Sequence, residues 1–294
     1  MLRPTTLFAL IALALACAAP AAGQTPAPTP AVPVFDPGQV IPTEPNALAG
    51  TIVSNQTALH SEIDRWRAEG DPAVGAAPLE VTNRGTFHLR VHVLLAARPR
   101  LFRQVVKLLP PKPAADARDI YVAMRSLRRL AGASARSRIR YGASLPADQL
   151  LAHYREAYGR FRVRARVLAA VNLVETRFNR LRNNSSAGAQ GPMQFMPATW
   201  RAYGMGGKVR NVRDAILGAA NYLKASGAPR NYRRALYAYN HSRLYVEAVR
   251  RYSRVIARDP HTFYVLHSWH FYRGSGQSFR RITGPEPRSF YPTG

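Results

Sequence analysis

Cysteine occurs once in the 294 residues, at Cys17, which excludes an intrachain disulfide framework, a cysteine-based zinc site and an iron–sulfur cluster. The fold must stand on packing. Acidic residues are scarce, 16 Asp and Glu against 42 Lys and Arg, and the resulting formal charge of +26 suits a polyanionic neighbour such as nucleic acid, anionic lipid or an acidic polymer. Lysine is rare as well. Only Lys107, Lys112, Lys208 and Lys224 accompany the arginines, a bias that GC-rich coding also produces. Long apolar runs are missing: the longest, residues 7–16, falls short of the roughly 20 residues a membrane helix needs. No Walker-type lysine loop, dinucleotide-binding glycine-rich turn or Gly-x-Ser-x-Gly elbow occurs, and no cofactor is implied. With 47% hydrophobic and 20% charged residues, the composition is nonetheless that of a globular chain with room for about two domains.

The amino terminus has Arg3, the apolar run 7–16 and the small residues Ala21-Ala22-Gly23, the three-part layout of a secretory signal peptide over residues 1–23. Export is the expectation. Ala14-Leu15-Ala16-Cys17 resembles a lipoprotein cleavage site but lacks the usual leucine three residues before the cysteine, so lipid anchoring at Cys17 is the lesser alternative. Seven prolines among residues 24–45 predict an extended linker. Beyond it, Leu48, Ile52, Leu59, Ile63 and Trp66 recur at helical spacing over 47–69, and Gly70-Asp71-Pro72 is a stop. Residues 87–109 read as two helical pieces interrupted by Pro99, 119–130 as another helix, and 147–158 as one closed by Gly159. Residues 46–158 are thus expected to be a helical accessory region. His88 and His92 share a helix face, but Leu89 stands where a metalloprotease pattern needs glutamate and no further ligand cluster is near, so no metal is expected there. His267 and His270, in a segment that reads as strand, invite the same structural reading.

The chemistry concentrates further on. Val163, Val167, Leu168, Val171, Val174 and Phe178 predict an amphipathic helix over 161–178, with Glu175 at the edge of its buried stripe. A carboxyl against apolar surface loses solvation of its charged form, and its pKa rises toward the range of a general acid. Alternatively Glu175 pairs with Arg177 or Arg182 in a surface salt bridge. The following stretch, residues 183–195, is small, polar and glycine-bearing, which builds a tight loop able to approach a ligand with its backbone. Pro197 then opens a short helix that Gly204 can close, and Asn211 with Asp214 reads as an N-cap for a helix over 215–224.

Three ordered blocks in this region resemble the catalytic domain of soluble, SLT-type lytic transglycosylases, within the lysozyme-like superfamily. Glu-Ser-x-Phe is matched by Glu175-Thr176-Arg177-Phe178. Ser-x-Ala-Gly-Ala-x-Gly-Leu-Met-Gln is matched by residues 185–194, with Pro192 in place of leucine. Ala-Tyr-Asn is matched by Ala238-Tyr239-Asn240, which then departs from Ala-Gly as His241-Ser242. The resemblance implies a mainly α fold: a lysozyme-like domain over residues 159–258, preceded by the helical region. Its substrate would be peptidoglycan glycan strands, cut between N-acetylmuramic acid and N-acetylglucosamine. Glu175 would act first as acid and then as base, closing a 1,6-anhydromuramyl ring without consuming water. Thr176 would orient that carboxyl, and Gln194, Tyr239 and Asn240 would line the groove. Besides Glu175 the acids of residues 160–260 are Asp214, Glu247 and Asp259, each with a structural role available.

After Asp259 the alternating aromatic run through Phe263, Val265, Trp269 and Phe271, followed by Gly274-Ser275-Gly276, predicts a β-hairpin in a tail over 259–294. Two other functions fit the same residues: a lysozyme-like hydrolase using Glu175 with water, or a catalytically silent module held to the cell wall by charge. Anionic wall polymers suit the basic surface. Export argues against nucleic acid as the main target, and no basic and aromatic stripe tracks a strand.

Overall fold

A computed structural model describes residues 34–131, 139–274 and 276–284. The expected signal peptide, Cys17, the first part of the proline-rich linker (residues 24–33) and the end of the tail lie outside them. The fold is mainly α, with eleven helices and one two-stranded sheet among the described residues. None of these helices is long and apolar enough to cross a membrane.

Local chemistry sets most helix ends. Helix α1 (Pro45–Glu69) starts where the Glu44 carboxylate accepts hydrogen bonds from the Asn46 and Ala47 amides, with Pro45 at the first position, where an N–H would have no intrahelical partner anyway. Pro99 separates α2 (Leu79–Ala97) from α3 (Pro99–Leu108), as the sequence predicts. Helix α4 (Pro111–Ala131) begins eight residues earlier than its apolar spacing suggests, because Pro111 and Pro113 fall in a first turn that needs no donors. Helix α5 (Ala147–Phe161) does not end at Gly159. It runs on until Arg162 takes a left-handed conformation at φ 58°, and the turn there delivers Val163 into the core at 0% exposure.

One core joins the two halves of the chain. Leu59, Ile63 and Trp66 of α1 pack in the same cluster as Leu168 and Val171 of α6 (Ala165–Thr176), Ile216 and Leu223 of α8 (Val212–Ala225), and Tyr245 and Val249 of α10 (Arg243–Arg258). Each such leucine or isoleucine contributes about 1.5–3 kcal/mol by leaving water. A smaller core, with Leu48, Ile52, Phe87, Val91, Phe102 and Val105, closes the far side of α1 to α3. Helix α10 lies against both α4 and α6. The contact with α4 is also ionic: buried Asp119 accepts from Arg251, Arg254 and Arg258, and Asp116 accepts from Arg258.

Two further expectations change. The last part of the expected linker is packed rather than extended from the body: Phe35 meets Phe87 edge to face at 5.4 Å, its amide donates to Glu80, and Arg90 donates to the Pro37 and Gln39 carbonyls. Proline content there limits backbone freedom without preventing docking. In the tail, the run expected as strand forms helix α11 (His261–His267), started by the Asp259 carboxylate accepting from the His261 amide at 2.7 Å. Residues 262–270 are buried throughout, and a segment buried on every side has no alternation to distinguish strand from helix. The hairpin is confined to β1 (Tyr272–Arg273) and β2 (Arg280–Arg281), paired antiparallel with Tyr272 opposite Arg281.

Candidate functional site

Glu175 is the penultimate residue of α6, immediately before a sharp reversal. Arg177, Phe178 and Asn179 all have positive φ, at 50°, 57° and 67°. Non-glycine residues resist this conformation by about 1–2 kcal/mol each, so neighbouring contacts must hold the turn. Thr176 supplies two of them: its buried hydroxyl donates to the Pro192 carbonyl at 2.7 Å and accepts from the Asn179 amide at 2.9 Å. Phe178 is wholly buried, and the Arg177 guanidinium lies 4.0 Å from the centre of the Phe271 ring.

The Glu175 side chain is half-buried, and its Oε1 accepts a 2.7 Å hydrogen bond from the Tyr245 hydroxyl. Burial pushes its pKa up to about 7, against the lowering effect of the Tyr245 bond. The salt-bridge alternative does not hold: Arg177 stacks on Phe271, Arg182 donates to the Ala143 carbonyl at 2.6 Å, and no described cation pairs with Glu175. Beside Glu175 lies a cavity of about 580 Å³ walled by Leu89 and Val93 of α2, Met124 of α4, Tyr252 of α10 and Trp269. Part of this wall, from α2 and α4, comes from the region before the sequence motifs. Among the described residues lining it, Glu175 is the one carboxylate. The other acids of the domain are occupied: Asp214 accepts from the Lys208 amide, Glu247 from Arg251, and Asp259 from Lys112 and His261.

The loop over 183–195 is tight, as its composition requires. Gln190 and Phe195 exchange backbone hydrogen bonds of 2.9 and 2.8 Å around a turn containing Gly191 at φ 75°. A Cβ on Gly191 would come within 2.0 Å of the Val209 carbonyl oxygen, so no side chain fits. Pro192, the departure from the resembled motif, turns its carbonyl toward Thr176 and Asn172. Gln194 has φ 49° and donates its amide to the Gly191 and Asn183 carbonyls, bracing the loop. Tyr239, at the end of α9 (Tyr232–Tyr239), donates to the Met193 carbonyl at 2.7 Å, its ring parallel to that of Tyr245 at 6.4 Å. Asn240 caps α9, and its carbonyl accepts from the Ser242 amide.

The five residues picked out from sequence therefore divide. Tyr239 stands near Glu175 behind Tyr245, Gln194 serves the loop backbone, Asn240 sits at the α9–α10 corner, and none of the three lines the cavity described above. Thr176 lines it, but its hydroxyl clamps the Pro192 carbonyl and does not orient the carboxyl. The group that does is Tyr245, which none of the three sequence blocks contains. A buried tyrosine hydroxyl usually finds a hydrogen-bond partner, and Glu175 was the domain's one unassigned carboxyl; that was the available signal. Ser242, the other departure, caps α10 by accepting from the Leu244 and Tyr245 amides, which sets where Tyr245 begins its reach.

The histidine pairs serve packing. His88 and His92 share a face, with their Nε2 atoms 3.2 Å apart, while the Trp269 indole donates to His88 Nδ1, and burial lowers both pKa values. His60, Asp259 and His261 also converge among the described residues. There Lys112 pairs with Asp259, both ring nitrogens of His261 meet carboxylate oxygens of Asp259 and Asp64, and the His60 and His261 rings stack in parallel, so their lone pairs do not aim at one point.

Residues 153–258 match the family model of the transglycosylase SLT domain. No curated protein and no solved structure matches the chain. The matched segment runs from within α5 to the end of α10 and contains Glu175, the glycine-bearing loop, Tyr239 and Tyr245. Residues 153–258 thus resemble the SLT domain of lytic transglycosylases, a likeness that covers about a third of the chain.

Proposed function

We propose that this protein is an exported lytic transglycosylase in which Glu175 performs both proton transfers. The observation that carries the reading is a half-buried carboxyl, its pKa pushed up to about 7 by burial, with no second carboxylate among the described residues lining the cavity beside it. Glycosidases of the two-carboxylate kind need a partner at about 5–5.5 Å for retention or about 6.5–9.5 Å for inversion. A group near pKa 7 is well matched to give a proton and take one back at neutral pH. Protonated Glu175 gives its proton to the oxygen joining N-acetylmuramic acid to N-acetylglucosamine, and that bond breaks while the muramyl N-acetyl oxygen stabilises C1. The Glu175 carboxylate then takes the proton of the muramyl C6 hydroxyl, whose oxygen bonds to C1. Acid and base are regenerated in turn, and no water is consumed. Tyr245 holds Glu175, while Thr176, Gln194 and Tyr239 fix the loop opposite and Asn240 shapes the corner beside it.

Products of purified peptidoglycan, read by mass spectrometry, test this. Anhydromuramyl ends, lighter by one water than hydrolysed ends, are expected from the wild type, and Glu175→Gln should lose on the order of 10²- to 10⁴-fold in rate. Reducing ends alone would establish a hydrolase, and undiminished cleavage by Glu175→Gln would remove the mechanism. Export rests on the apolar run 7–16 with the small residues after it. Amino-terminal sequencing of envelope or culture protein should find a chain starting near Gln24; Met1 retained on cytosolic protein would refute export.

A further inference from the structure

Arg180, in the turn that follows Glu175, is 3% exposed. Among the described residues no carboxylate lies within ion-pair distance of its guanidinium, whose one hydrogen bond is a long 3.4 Å contact from Nη1 to the Arg177 carbonyl. Taking a guanidinium out of water without an anion is strongly unfavourable, and a planar fork of five donors is built for a carboxylate. Burial and the Arg177 charge lower its pKa to about 9, so it remains a cation at neutral pH.

This side chain faces a cavity of about 520 Å³, distinct from the one beside Glu175. Trp269 and Phe271 line the Glu175 cavity while His270 lines this one, so segment 269–271 stands between them. Its walls are apolar, with Val74, Ala77, Leu145, Pro146 and Ile282, and among the described residues lining it Arg180 is the one charged side chain. The polar groups near Arg180 are uncharged. His267 Nε2 donates to the Leu145 carbonyl at 3.1 Å with Ser144 Oγ at 3.2 Å, and His270 Nδ1 pairs with Thr283 Oγ1 at 3.1 Å. Burial and neighbouring arginines keep both imidazoles neutral by lowering their pKa values. With His267 Nε2 acting as donor to the Leu145 carbonyl, the Ser144 hydroxyl is free to turn its proton into the cavity.

We infer that the Arg180 cavity is a binding site for an organic monocarboxylate, the carboxylate seated on the Arg180 fork and Ser144 hydroxyl and a small apolar body against Val74, Leu145 and Ile282. A single lining cation matches one negative charge; a phosphate dianion would leave a buried surplus. A free small acid and the carboxyl terminus of an alanine-ending peptide share this chemistry. The site does not depend on Glu175 chemistry.

Calorimetric titration of the full chain with N-acetyl-D-alanine, N-acetyl-D-alaninamide, propionate and inorganic phosphate tests it. N-acetyl-D-alanine should bind and its amide should not. Propionate binding as tightly identifies a free-acid site, and tighter binding of the acetylated amino acid identifies a peptide terminus. Equal binding of acid and amide, binding of phosphate alone, or no binding at all overturns the proposal. Arg180→Met should weaken carboxylate binding on the order of 30-fold or more. Without ligand the same variant should melt about 2–4 °C higher, because a buried unpaired charge has gone. A merely structural arginine would give a lower melting point and leave carboxylate binding unchanged.

Discussion

Tyr245→Phe removes one atom, the hydroxyl that donates to Glu175 at 2.7 Å, and leaves the ring in a site only 1% exposed. A hydrogen bond to a charged group contributes about 1.5–3 kcal/mol and one to a neutral group about 0.5–1.5, so the ionised carboxylate loses about 1–1.5 kcal/mol more than the acid does. At 1.36 kcal/mol per pKa unit, that shifts Glu175 upward by about one unit. The direction follows from Tyr245 lowering a pKa that burial has already raised to about 7. The pH dependence of kcat/KM reports the free enzyme, and the acid step needs protonated Glu175. The alkaline fall in kcat/KM on purified peptidoglycan should therefore move about one unit to higher pH, with the variant's circular dichroism unchanged. An unmoved limb, or one shifted to lower pH, would show that Tyr245 does not control the reacting carboxyl.

Thr176→Val keeps shape but strips the Asn179 amide of its acceptor, and should cost about 1–3 kcal/mol in urea unfolding while leaving the kcat/KM limb in place; a moved limb would restore Thr176 as the residue orienting the carboxyl. Asp119→Asn breaks the ionic contact of α4 with α10, and should cost about 3 kcal/mol, the low end for a broken buried pair because its arginines reach solvent. Burial raises the Asp119 pKa, but the hydrogen bonds from Arg254, Arg258 and Arg251 outweigh it and hold the group below the usual range. Its contribution is therefore complete above the unfolded carboxylate pKa and fades as pH falls through the folded value. Wild type and variant should converge in melting temperature toward low pH, and a constant gap would refute the pairing.

What could be read directly from the chain is what depends on neighbours within a turn or two. Pro99 splits two helices, Asn211 accepts from the Asp214 amide to start α8, and Pro197 and Gly204 bound a short helix because each acts on its own backbone. Glu175 could also be singled out, since its place on a helical stripe follows from spacing, and burial of that stripe is enough to raise a carboxyl pKa. Whether Arg162 or Gly159 closes α5 depended instead on where Val163 had to be buried. Helix α11 was hidden because a segment surrounded by protein on all sides needs no facial pattern. Contacts between distant segments decided the rest. Tyr245 reaches Glu175 across 70 residues, and Asp119 meets Arg258 across 139. The cavity beside Glu175 takes part of its wall from α2 and α4, outside the family motifs. Such partners carry no mutual spacing in the chain: a side chain records its own need for burial or a hydrogen bond, and only packing decides which group meets it.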